Sequence, residues 1–235
     1  MPMVPTPALL EFSLSGWVGG SAIVQAVFTS LSGEVLSAAS LGPVFAVTGL
    51  FQWSNYGVVP IGSAYVTVVM SFGSTGGLVG FADSLLLVLN SATSTPAIAP
   101  TPTLNPNVNC PSQPVTATVG PNVLANSKAE NDGSDCDNSD DESAWCWKVT
   151  YGNFARVCYY GGNFPGPTDP GPSDRGSWLF YGGDAIDYSY ATQTFLLPPS
   201  AGSLSYSLSG WLGGWVYQDD QASFLVIFTG SDKSE

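Results

Sequence analysis

The sequence predicts an all-β protein, an antiparallel β-sandwich split into two half-domains that a proline-rich linker joins. Three observations carry that expectation. Glycine (27) and proline (18) are frequent among abundant Ser and Thr, a mixture that favours many short strands and tight turns over helices. Apolar and polar residues alternate with period two, most clearly over residues 65–72. Third, one phrase occurs twice, once near each end of the chain.

The first copy reads Phe12-Ser13-Leu14-Ser15-Gly16-Trp17-Val18-Gly19-Gly20, and the second Tyr206-Ser207-Leu208-Ser209-Gly210-Trp211-Leu212-Gly213-Gly214. The echo resumes as Ala22-Ile23-Val24-Gln25-Ala26-Val27-Phe28-Thr29 against Ala222-Ser223-Phe224-Leu225-Val226-Ile227-Phe228-Thr229. Between its two parts the later copy carries six extra residues, Trp215-Val216-Tyr217-Gln218-Asp219-Asp220. The first copy is followed by strand-like sequence, whereas the second is preceded by it. This reads as a chain that begins inside one domain and ends inside the next.

Taken in order, residues 1–90 read as the later half of a sandwich. Leu10–Trp17 alternates, Ala22–Thr29 is a buried strand, and a further strand opens at Leu41–Val44. Gly57–Pro60 leads into the turn Ile61-Gly62-Ser63. In the next strand Val66, Val68, Met70 and Phe72 form the core face. Gly80–Asn90 is a strongly apolar closing strand. Residues 91–121 are a Pro/Ser/Thr-rich linker of polyproline II character, which suits an O-glycosylated spacer and a bare one equally. Residues 122–235 read as the earlier half of a sandwich plus the duplicated strand. Residues 131–142 form an acidic loop without EF-hand spacing. Residues 144–150 and 154–160 suggest a hairpin about Tyr151-Gly152-Asn153. Trp178–Tyr181, the turn Gly182-Gly183 and Tyr190–Leu197 follow.

Composition excludes several functions. Net charge is −13 with only five basic residues, all scattered, so no phosphate-binding patch exists and nucleic acid is not a partner. The most apolar run is too short to insert in a membrane. With no histidine there is no imidazole base or ligand, and the acidic residues lie mostly in one loop, so the chain is expected not to be an enzyme. Four cysteines, with no histidine and no C-x-x-C, point to disulfides and an oxidising, extracellular or cell-surface setting. With a three-residue turn at 151–153, Cys146 falls opposite Cys158, which predicts Cys146–Cys158 and leaves Cys110–Cys136.

The run Asn122-Val123-Leu124-Ala125-Asn126-Ser127-Lys128-Ala129-Glu130 resembles the opening strand of galactose-binding-like, carbohydrate-binding-module-type jelly-roll sandwiches. So do Ala144-Trp145, Arg175-Gly176 before Trp178 and Phe180, Gly182-Gly183, Gln193-Thr194, the Ser-Leu-Ser-Gly-Trp-Leu-Gly-Gly phrase, and Gly80-Phe81-Ala82-Asp83-Ser84-Leu85-Leu86. The motifs fall in family order only once the chain is rotated. The resemblance implies a structural Ca2+ between the opening-strand carboxylate, here Glu130, and the closing-strand carboxylate, here Asp83; hard oxygen ligands suit that ion. Near turns, Trp178, Tyr181, Trp215 and Tyr217 are weak candidates for stacking on sugar rings, although sandwich aromatics are more often core. Two functions follow. One is the subunit of an extracellular filament or matrix, its split halves complemented head to tail by other copies. The other is a carbohydrate-binding module or a piece of a tandem-repeat adhesin.

Overall fold

The computed structural model describes residues 13–16, 27–28, 39–41, 49–73, 80–91, 110, 114–130, 136, 146–159, 164–183, 188–198, 204–214 and 221–230. Among these residues there is no helix. The strands are β1 (Ser13–Gly16), β2 (Val27–Phe28), β3 (Ala39–Leu41), β4 (Gly49–Val58), β5 (Tyr65–Gly73), β6 (Phe81–Ser91), β7 (Val115–Thr116), β8 (Lys148–Tyr151), β9 (Ala155–Cys158), β10 (Trp178–Tyr181), β11 (Tyr188–Leu196), β12 (Leu204–Gly214) and β13 (Gln221–Thr229).

They form two sheets. One runs β1-β4-β12-β6-β10-β9, and every pairing in it is antiparallel. The other runs β2-β13-β5-β11-β7, with β3 also on β13 and β8 also on β11. Only β2 on β13 and β7 on β11 are parallel. The sheets share one apolar core. Tyr206 of the first packs on Phe228 of the second, with ring centroids 5.3 Å apart. Trp147 and Phe154, which flank β8, fill the middle, against Phe224, Phe180 and Phe72. As the alternation predicts, Val66, Val68, Met70 and Phe72 are buried. The turn at Ile61-Gly62-Ser63 is also present, closed by Ser63 N–H donating to the Pro60 carbonyl at 3.2 Å.

The two ends of the chain interleave. β6 lies between β12 and β10, β5 between β13 and β11, and β4 against β12. The sequence suggests that another chain covers residues 206–228; here β4 and β6 of the same chain flank β12, and β5 flanks β13.

The duplicated phrase has two places. Ser207, Leu208, Ser209 and Gly210 pair with Tyr56, Asn55, Ser54 and Trp53 on one edge of β4. Ser13, Leu14, Ser15 and Gly16 pair with the same four residues on its other edge, in the same order. In the second sheet the echo lies against itself, Val27 beside Ile227 and Phe28 beside Phe228. Gly210 sits where β12 bulges past β6, and a Cβ there would come within 2.6 Å of the Leu85 side chain. The glycine of the phrase is thus a close-approach position.

Several expectations need correction. The hairpin at 151–153 does not form, because β8 pairs in one sheet and β9 in the other, so Tyr151-Gly152-Asn153 arches between sheets. Cys146 therefore never faces Cys158 across a ladder. The bonds are Cys110–Cys146 and Cys136–Cys158, with Cα atoms 4.6 and 5.8 Å apart. β4 takes in residues 49–56, where the sequence suggests no separate strand; its inward positions include Asn55 and Gly57, which hide the alternation. The end of the proline-rich stretch is not all spacer, since Val115–Thr116 joins β11 and Val119 bridges to Leu89. The acidic loop 131–142, apart from Cys136, lies outside the described residues.

Candidate functional site

The segment 122–130 positions the site, and not as a strand. Side chains and a few single backbone bonds to β6, rather than a continuous ladder, take its backbone groups. Asn122 Oδ1 accepts from the Leu87 and Leu124 amides, and its Nδ2 donates to the Leu85 carbonyl. Gln193 Oε1 accepts from the Ala125 amide at 3.0 Å, and its Nε2 donates to the Ala125 carbonyl at 2.8 Å. Pinned in this way, the segment folds under β6. The Leu85 amide donates to the Ser127 carbonyl at 2.7 Å.

The two predicted carboxylates lie near enough here for the charge of Glu130 to act on Asp83. Asp83 of β6 is fully buried. Its Oδ2 accepts from the Tyr159 hydroxyl at 2.5 Å, and its Oδ1 from the Ser84 amide at 2.5 Å. Burial pushes the Asp83 carboxyl up from 3.8 to about 7; the negative charge of Glu130 raises it further, while the two hydrogen bonds and Lys128 oppose. Glu130 is also raised, chiefly by burial, against hydrogen bonds from the Trp178 and Ser177 amides. Its Oε1 accepts from Trp178 N–H at 2.6 Å. Burial, followed by the charge of Asp83, raises Tyr159 well above its ordinary value.

Cations frame the pair, and the charges of Arg156 and Lys128 both act to lower Glu130. Buried Lys128 donates to Asp174 Oδ2 at 2.5 Å. Fully buried Arg156 donates to the Ala129 carbonyl at 3.2 Å and lies 4.2 Å from the Trp178 ring centroid. Arg175 ties its own loop together through the carbonyls of Pro172, Gly166 and Asp169 and lies 5.2 Å from the Tyr159 ring centroid. Gly176 beside it leaves room for Glu130, on whose carboxylate a Cβ would fall. Three of the four described non-glycine residues with left-handed backbone, Ser84, Asn126 and Ala129, belong to this region. Such strain persists only where surrounding structure enforces it.

The donors suit a hard cation in kind: two carboxylates, and a buried Ser84 hydroxyl with no hydrogen-bond partner among the described residues. In number they fall short of the six to eight oxygens calcium takes. Among the described residues no cluster of three acidic or cysteine side chains offers a metal site. Backbone carbonyls and water would have to complete the shell. What the site does in the protein as described is clasp the two ends of the chain, since Asp83 comes from the first half and Tyr159 and Glu130 from the second.

The sugar-stacking expectation fails for Trp178 and Tyr181. Both are core residues of β10, the first under Arg156 and the second edge-on to Phe164. Residues three apart on a strand point to opposite faces, and all four positions of β10 are buried, so both of its faces are covered here. Trp215 and Tyr217 lie outside the described residues. Exposed rings occur elsewhere, at positions the sequence reading missed. Tyr188 and Tyr190 are parallel to within 9°, and Tyr151 lies 6.0 Å from Tyr190. The signal was present in Tyr188-Ser189-Tyr190, whose alternation leaves both rings on one face while Ser189 is buried. No protein-family model, curated protein or solved structure matches this chain.

Proposed function

We propose that the chain is a non-enzymatic structural protein of the extracellular space or cell surface, a jelly-roll-type sandwich that assembles head to tail by exchanging complementary halves between copies. The observation that supports this reading is the interleaving. β5 and β6 lie between strands of the later half, so neither half makes a complete sheet alone. Every contact made between the halves within one chain can be made between two chains, and heterologous contacts of that kind propagate. Unpaired edges and an uncovered apolar face make an isolated half costly. Two disulfides fit an oxidising environment. A structural Ca2+ at Asp83 and Glu130 belongs to the proposal, as a reinforcement of the clasp.

The test uses two defective full chains. Val68→Asp breaks the first half and Leu208→Asp the second, each at a fully buried position. Refolded alone, each should aggregate; refolded together, they should give soluble assemblies in which both are present. Absence of rescue, with the unsubstituted chain sedimenting as a compact monomer at micromolar concentration, would defeat the reading.

Exposed Tyr188 and Tyr151, with half-buried Tyr190 beside them, favour a second reading, a carbohydrate-binding module, because rings grouped at the surface suit stacking on sugars. Glycan binding lost in Tyr188→Ala would support it.

A further inference from the structure

The second copy of the repeated phrase is locked in, with β4 on one side and β6 on the other. The first copy, β1, is held on one side only, by four residues of β4, and is the terminal strand of its sheet among the described residues. The same holds across the core, where β2 and β3 contribute two and three residues to one edge of β13. All the strands before β4 are therefore short and peripheral, and lie along the β4 and β13 edges.

We infer that these N-terminal strands are the exchanged element, and that β1 of one copy seats on β4 of a second copy in the register Ser15 opposite Ser54. This rests on the head-to-tail reading above and narrows it, from a half of the chain to its first strands and the flank that receives them.

Three observations carry it. The first is the register. Because β12 and β1 address the same four residues of β4 with the same phrase, the seat recognises a sequence and not merely a free edge. A second copy of this chain carries that phrase; an unrelated edge strand does not. Main-chain hydrogen bonds supply affinity in such a strand addition, and the side-chain pattern supplies selection.

The second is how little the closed chain gains at this seat. The stretch of β4 that β1 covers holds Trp53 Nε1 and both polar atoms of Asn55, buried without hydrogen-bond partners among the described residues. Unsatisfied buried groups raise the free energy of the state that contains them. A four-residue edge strand over such groups belongs to the low-stability end of a fold and opens before the rest.

The third is that release of β1 leaves the core pairings untouched. β4 keeps β12, β5 keeps β13 and β11, and β6 keeps β12 and β10. The body can thus remain folded while its first strands move between copies.

The experiment places a cysteine pair at the register. Ser15→Cys and Ser54→Cys are introduced together in the full chain, which is oxidised and run without reductant, the new bond being located by peptide mapping. Directly opposed residues of an antiparallel pair are close enough for a disulfide. Exchange predicts a covalent ladder of multimers that collapses with reductant. It also predicts a cross-linked heterodimer when the two single variants are mixed. A cross-link confined to single chains, while the unsubstituted protein still forms multimers in sedimentation, overturns this inference and leaves the head-to-tail reading standing on another segment. Single-chain cross-links together with a monomeric unsubstituted protein overturn both. No cross-link of either kind overturns the inference, since β1 would then not lie on β4.

Discussion

One phrase, two fates: Ser-Leu-Ser-Gly at 207–210 is the middle of a six-stranded sheet, and its twin at 13–16 reaches only the rim. Their local preferences are the same, so the difference between them is tertiary. β12 presents Leu208 to a closed core, lets Leu85 cross Gly210, and places Trp211 beside Asp83. β1 has none of these neighbours on its outer side among the described residues. The pair separates what a strand sequence carries intrinsically from what its neighbours confer. The lesson is that β-propensity measures fit to neighbours more than a property of the residues.

Substitution is the most direct way to break the comparison. Leu208→Ala removes a fully buried side chain and is expected to cost about 2–5 kcal/mol, and Leu14→Ala, in a four-residue strand paired along one edge only, should cost less. Chemical denaturation of both variants measures this. Similar losses at the two positions would mean that β1 is as integral as β12.

The next effect is on pH, and it belongs to the β12 side alone. Asp83 is the register partner of Trp211 and faces Tyr159, the Ser84 amide, Glu130 and Lys128. An acid whose folded-state pKa is raised from 3.8 to about 7 holds its proton more tightly when folded. Stability should therefore be highest near pH 4, fall as pH rises to about 7, and level off above, with a total change of a few kcal/mol. Glu130, also raised, acts in the same direction. Thermal melts from pH 4 to 8 in the presence of a chelator check the slope, and Asp83→Asn should flatten most of it. Added Ca2+ should raise the melting temperature most at pH 8, where the carboxylates are charged and an ion at the clasp stabilises by mass action. Equal melts with Ca2+ and with chelator would remove the ion from the proposal.

A smaller effect sharpens the contrast within the phrase. Gly210→Ala sets a Cβ against Leu85 and should cost about 1–3 kcal/mol, and Gly16→Ala, on a strand that β6 does not flank, should cost less.

What could be read in the sequence followed period and repetition. β5 and β6 were legible because their apolar residues alternate or run together, and β10 because its aromatics follow a turn. The clasp was legible only through a resemblance that named Asp83 and Glu130; nothing in the spacing of two acids 47 positions apart brings them together. β4 was obscured by its buried Asn55 and Gly57, polar and small residues on an inward face. The disulfide pairing was missed for one reason. A three-residue connection was taken for a hairpin, although an arch between sheets has the same length and the same glycine. Trp178 and Tyr181 misled because nearness to a turn in sequence says little about burial when both faces of a strand are covered.

The interleaving also bears on how the chain is made. β4, β5 and β6 pair with none of one another; β5 and β6 wait for β10 to β13, and β4 finds only β1 before β12 arrives. During synthesis from the N-terminus, β5 and β6 emerge as apolar strands whose partners have not yet been translated. Chains growing side by side on one message would therefore hold unpaired strands close together at high local concentration, where pairing between neighbours competes with pairing within a chain. The order of translation, as well as the final contacts, thereby influences which copy each first half joins.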